Sequence, residues 1–398
     1  MNIPSKTFCI LPWIHIYANA DGSVLPCCIG NHQHQLGNVG VNTVKEVWNS
    51  EQYKSLRVKM LQGETCEECS ACNDLERKGI LSTRHYKNIE FYKYIPSVNH
   101  TNEDGSLDEL SLRYFDIRWS NICNFKCRSC SASYSSSWAT EDNNNNNYKR
   151  KVFMFAGGDN NDKLYNQFLP HFKDIETFYF AGGEPLLTDK HYDILEHLIE
   201  IKKTDVKLIY NTNVSNLIYK NKSVIDLWNH FSHVTVSASL DSWGDRAEYI
   251  REGTDWTLIK NNIKTIKQLS PHVNLQTNTV VSIFNVLTLH EFFEHLFQEN
   301  LFDPNTIEAN FYNLINPHYY SMQVLPEDFK IKIIDKLKSS KLPYHINQKF
   351  SDIIRYIQTS QYDNNLHRNF IKVTDHYDSI RNQKLLDTFP ELKEFYSF

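Results

Sequence analysis

Arg113-Tyr114-Phe115-Asp116-Ile117-Arg118-Trp119 leads, after Ser120-Asn121, into Ile122-Cys123-Asn124-Phe125-Lys126-Cys127-Arg128-Ser129-Cys130. The first piece alternates and is rich in aromatic and β-branched residues, so it reads as a strand. The second carries three cysteines with the spacing C-x3-C-x2-C, on a loop at the C-terminal end of that strand. In a parallel α/β barrel this is the end where chemistry is placed. Three thiolates do not complete a four-cysteine iron–sulfur site. They can hold three irons of a [4Fe–4S] cube and leave the fourth open to a substrate or cofactor. A structural zinc loop or a disulfide framework is the competing reading.

Downstream, Phe178-Tyr179-Phe180-Ala181-Gly182-Gly183-Glu184-Pro185-Leu186 is a strand that ends in two glycines and a glutamate. Glycine allows a sharp turn and close approach of a ligand, and Glu184 is placed to accept from an ammonium. Strand-like runs begin near 114, 177, 206, 233, 273 and 307. Helical patterns lie near 191–203, 220–231, 256–268, 287–298 and 325–338. Alternation of this kind predicts an α/β fold with a parallel sheet of six β/α units.

Cysteine placement separates two uses. All nine lie at or before Cys130, and six fall within the first 72 residues. Cys9 precedes a short strand at Leu11–Tyr17, Asp21-Gly22 marks a turn, and the return arm ends at Cys27-Cys28. A helical stretch follows, then Cys66, Cys69 and Cys72 as two overlapping C-x2-C pairs. A hairpin with cysteines followed by such a pair predicts a four-thiolate cage, with a zinc ribbon as the competing reading.

The C-x3-C-x2-C loop followed by Gly-Gly-Glu-Pro resembles the radical S-adenosylmethionine (SAM) superfamily. The resemblance implies a partial (β/α)6 TIM-like barrel with an open iron at Cys123, Cys127 and Cys130 that binds SAM. Gly182, Gly183 and Glu184 match the amino-group motif, and Ser237, Ser239 and Arg251 are further candidates for SAM contact. Cys9, Gly22, Cys27, Cys69 and Cys72, continued by Glu76, Gly79 and Arg84, resemble the twitch domain, the shorter relative of the SPASM domain. The resemblance implies an auxiliary [4Fe–4S] cluster on Cys9, Cys27, Cys69 and Cys72, with Cys66 as the alternative to Cys72. The expected boundaries are 1–85 for this N-terminal domain, 86–110 for a connector and 111–320 for the barrel. A polar insertion is expected at about 139–165, and a C-terminal helical segment at 321–398. Asp241, Arg251 and His318 are candidate catalytic groups, and Arg246 is a second candidate carboxylate clamp.

The function so implied is reductive cleavage of SAM to a 5′-deoxyadenosyl radical that abstracts hydrogen from an unactivated carbon of a peptide or small molecule. The auxiliary cluster assists a net oxidation or bond formation, and a flavodoxin- or ferredoxin-type protein donates electrons. A carbohydrate or alcohol dehydrogenase of the twitch type is an alternative, as is a non-catalytic iron–sulfur or zinc redox sensor or scaffold. Composition agrees with a globular protein: 41% hydrophobic, 22% charged, net charge −5. No basic field points to bulk nucleic-acid binding. No run approaches membrane-spanning length and no signal peptide opens the chain, so the expected compartment is the cytoplasm, where clustered cysteines bind metal.

Overall fold

The computed structural model describes residues 3–146 and 149–396. Among them, nine strands form one sheet: β1 (His15–Ala18), β2 (Ser23–Leu25), β3 (Gly37–Asn38), β4 (Tyr114–Ile117), β5 (Thr177–Phe180), β6 (Lys207–Thr212), β7 (His233–Ser239), β8 (Asn274–Val281) and β9 (Ala309–Asn313). The order across the sheet is β9-β8-β7-β6-β5-β4-β1-β2-β3. Pairing is parallel from β4 to β5 and β5 to β6, and again from β7 to β8 and β8 to β9. Strands β4 to β9 are the six strands expected of a partial (β/α)6 barrel.

Contacts divide the chain into two compact units. The first is Met1–Ile122, Phe153–Tyr210 and Asp226–Val234; the second is Cys123–Val152, Asn211–Ile225 and Thr235–Phe398.

In the first unit, β1 lies parallel to β4, with Tyr17 opposite Asp116. The short strand expected at Leu11–Tyr17 is instead a helical turn, Leu11–Ile14, with Pro12 at its start, followed by β1. Every residue of β1 is buried, so it shows no alternation in the sequence. Alternate residues of β4 face opposite sides. On one side the Phe115 ring meets Phe168, Phe172 and Phe178 at centroid distances of 4.9, 5.5 and 5.4 Å. On the other, Arg118 pairs with Asp116 at 2.9 Å and lies over the rings of Tyr17 and Tyr179. The expected connector is largely helical: Thr83–Glu90, then a 3-10 stretch at Tyr92–His100.

In the second unit, the helix Ser136–Asn145 runs into the asparagine tract expected to be a polar insertion. Ser135 caps it by accepting from the Trp138 N–H at 3.2 Å. Glu141 pairs with Lys126 and Arg381, both at 2.7 Å, so tertiary anchoring overrides weak asparagine propensity. Asn147 and Tyr148, within the same expected insertion, lie outside the described residues. The C-terminal segment forms the helices Glu327–Lys338, Tyr344–Thr359 and Asn364–Arg381. Among the described residues, no helix is long and apolar enough to cross a membrane.

Candidate iron–sulfur and S-adenosylmethionine sites

The cysteine loop of the second unit is held from three sides. The serine-rich stretch after it supplies donors: Ser137 to the Cys123 carbonyl, Ser135 to the Phe125 carbonyl and Trp138 Nε1 to the Cys127 carbonyl, each at 2.7 Å. Lys126–Cys127 also pairs with Arg251–Glu252 in a short antiparallel ladder that sets Arg251 opposite Cys127. Gly253 follows at φ +104°, where a Cβ would meet the Asn124 carbonyl oxygen at 2.8 Å. Arg128, fully buried, donates to Asp378 at 2.5 Å and Gln383 at 2.9 Å and lies 3.9 Å from the centre of the Tyr249 ring. The C-terminal segment therefore braces the loop, a role its sequence does not disclose.

Arg251 engages Asp241 twice, through Nε at 2.8 Å and Nη2 at 3.0 Å, and sets Nη1 3.8 Å from the Cys127 sulfur. Asp241 is buried and also accepts from the Val280 N–H at 2.8 Å. Burial pushes the Cys127 thiol up, against the lowering effect of Arg251. Burial, with the charge of Cys127, pushes Cys130 up to about 12. These thiols are protonated at neutral pH until a metal displaces the proton. Ser239, Asp241, Arg251, Asn213 and Phe125 line one small cavity. Ser237 lies two residues before Ser239 on β7, directed to the same face, but does not line that cavity. Arg246 is occupied elsewhere: it forms a fork on Glu391 at 2.5 and 3.0 Å and packs on Phe389. His318 is exposed on a 3-10 turn beyond β9.

In the first unit, Gly182 and Gly183 turn the chain at φ +83° and +48°. A Cβ on Gly183 would stand 2.3 Å from the Ile122 carbonyl oxygen, and one on Gly182 2.8 Å from the Arg118 side chain. The Glu184 N–H donates to Ile122 O at 2.7 Å, and its buried carboxylate accepts from the Leu186 N–H at 3.0 Å. The turn is thus latched to the residue that immediately precedes Cys123.

The same unit brings Cys9, Cys27, Cys69 and Cys72 around one cavity, walled by Leu11, Pro12, Pro26, Met60, Thr83 and Arg84. Arg84 is buried, donates to Glu76 at 3.0 Å and Asn73 at 2.9 Å, and opposes the rise of the Cys9 and Cys69 thiols. Burial nonetheless dominates and pushes Cys9 up to about 12. Cys66 is buried but is not part of this lining, and Cys28 is exposed. Among the described residues, no three His, Cys, Asp or Glu side chains are grouped to hold a single metal ion. The four thiols instead surround a space. Asn88 brackets the Cys9 loop, accepting from the Ile10 N–H at 2.8 Å and donating to the Phe8 carbonyl at 2.9 Å. Its position in a nominal connector offered no sequence signal.

Residues 117–297 match the family model of the radical SAM superfamily, and residues 9–73 match that of an iron–sulfur cluster-binding domain, SPASM. The chain is a radical SAM protein. Similar solved structures include "Native anSMEcpe with bound AdoMet", at 18% identity and a TM-score of 0.40, covering 60% of this chain and 61% of that one. Another is the crystal structure of Streptococcus suis SuiB bound to S-adenosylmethionine, at 12% identity and a TM-score of 0.34, covering 98% and 75%. The chain thus spans less than two thirds of the first of these. No curated protein sequence matches it. A radical SAM domain implies a [4Fe–4S] cluster and SAM, and a SPASM domain implies auxiliary iron–sulfur clusters. The donor sets fit these groups: buried and half-buried thiols with guanidinium charge beside them suit anionic clusters.

Proposed function

We propose that this chain is a radical SAM oxidoreductase or maturase that abstracts hydrogen from an unactivated C–H bond of a peptide or small molecule. The product arises by net oxidation or bond formation, assisted by an auxiliary [4Fe–4S] cluster. The observation that carries this reading is the single cavity shared by Cys9, Cys27, Cys69 and Cys72, in a chain that keeps three further cysteines for an open-iron site. Cys123, Cys127 and Cys130 would hold a [4Fe–4S] cluster with one open iron for SAM, and that cluster would supply the electron for reductive cleavage of SAM.

The chain's own residues bind and orient. Glu184 accepts from the SAM ammonium, and Gly182 and Gly183 give the backbone close access. Ser237 and Ser239 offer hydroxyls to the ribose or carboxylate. Asp241 holds Arg251 at the cavity wall. His318, exposed beyond β9, is the candidate acid or base toward substrate. A flavodoxin- or ferredoxin-type protein in the cytoplasm is the proposed electron donor.

Anaerobic reconstitution tests the assignment. About eight irons per chain are expected for two cubes, with 5′-deoxyadenosine formed from SAM and dithionite. Cys127→Ala is expected to abolish the nucleoside, whereas Cys69→Ala loses about four irons and still forms it. Zinc in place of iron, or nucleoside formation by Cys127→Ala, overturns the reading.

A further inference from the structure

We propose that Arg251 raises the reduction potential of the cluster at Cys127 through its contact with the Cys127 sulfur, and that Asp241 positions it to do so. The inference rests on the cluster assignment made under Proposed function and adds to it a tuning residue.

The geometry leaves Arg251 little freedom. Its backbone is paired with that of Cys127. Nε and Nη2 form a fork on Asp241, which leaves Nη1 directed at the sulfur, 3.8 Å away. Asp241 is itself pinned: its side chain accepts from the Val280 N–H at 2.8 Å, and its carbonyl accepts from Asn285 at 2.9 Å. Swinging Arg251 away would strand a buried carboxylate, which is strongly unfavourable. The planar fork needed to clamp a ligand carboxylate is therefore already occupied by Asp241. The other two cations of the loop are also committed, Lys126 to Glu141 and Arg128 to Asp378. Arg251 is thus the cation directed at the metal-binding sulfur.

Reduction adds one negative charge to a cluster. A cation and an N–H donor at a ligating sulfur stabilise that added charge and make the potential less negative. Asp241 offsets part of the charge but leaves the donor in place. Arg251 is accordingly a positioning and tuning residue rather than a group that touches substrate.

The test is a redox titration of the reconstituted full chain before SAM is added. The relevant cluster is identified by its electron paramagnetic resonance signal, which changes when SAM is then supplied. The variant is the double substitution Arg251→Gln, Asp241→Asn, which removes both charges together and avoids an orphaned buried ion. Its iron content is expected to match the wild type. Its one-electron reduction equilibrium is expected to become about tenfold less favourable, a midpoint lower by about 59 mV. Arg246→Gln, which alters a guanidinium engaged by Glu391 rather than by a cysteine, is expected to leave the midpoint unchanged. A double variant with full iron and a wild-type midpoint overturns the inference, as does an equal shift in Arg246→Gln. A wild-type chain with no SAM-responsive signal instead overturns the cluster assignment, so the two failures are distinguishable.

Discussion

Gly183 occupies a position with no room for a methyl group. Its φ is +48°, and the Ile122 carbonyl oxygen lies 2.3 Å from where a Cβ would be. Gly183→Ala is expected to destabilise the protein by at least about 1–2 kcal/mol and to weaken SAM binding, read by denaturant titration and equilibrium dialysis. His191 makes a different single-residue prediction. It is buried against Phe180, bonds Tyr210 Oη at 3.0 Å, and burial lowers its pKa to about 3. The folded state therefore favours neutral imidazole, while the unfolded chain takes up a proton near pH 6.5. The stability from this residue is complete above about pH 6.5 and is lost as pH falls toward about 3, at about 1.4 kcal/mol per unit. His191→Phe is expected to remove that part of the slope in denaturation measured across this window. The glycine pair and glutamate were legible as a motif because a strand end followed by Gly-Gly is a local signal. The burial of His191 was not, since nothing near it in the sequence marks which side of its helix faces the sheet.

At the scale of elements, two helices that overlap the expected connector and the expected polar insertion brace the cysteine clusters. The helix Thr83–Glu90 carries Arg84 into the wall of the four-cysteine cavity and Asn88 onto the backbone on both sides of Cys9. Asn88→Ala removes two buried hydrogen bonds and strands their partners. The expected loss is about 2–4 kcal/mol, with lower iron occupancy of the auxiliary site and unchanged 5′-deoxyadenosine formation, read by iron analysis and nucleoside assay. The helix Ser136–Asn145 likewise donates to the carbonyls of the C-x3-C-x2-C loop from Trp138 and from the serines at its start. Its serines and asparagines looked like a polar tract, because their partners are backbone carbonyls that composition does not reveal. The strands β4 to β9 were legible from period-2 patterning and spacing. β1 was misplaced by a few residues because a strand buried on both faces carries no alternation.

Across the whole molecule, Arg128 ties the cysteine loop to Asp378, 250 residues away. Both side chains are buried, so Arg128→Ala strands a carboxylate. The expected destabilisation is about 3–5 kcal/mol, measured by chemical denaturation, and Arg128→Ala, Asp378→Asn together should recover part of it. Local patterning alone specified six β/α units, the C-x3-C-x2-C loop, the glycine–glutamate turn and a second set of cysteines near the start. Each is a short-range pattern in which spacing along the chain dictates geometry. Only the tertiary structure decided which four cysteines share a cavity, that β1 lies beside β4, that Arg246 serves Glu391, and that Arg251 joins Asp241 to the Cys127 sulfur. Those outcomes depend on burial and on charges meeting across long stretches of chain, where no local period records which partner is chosen.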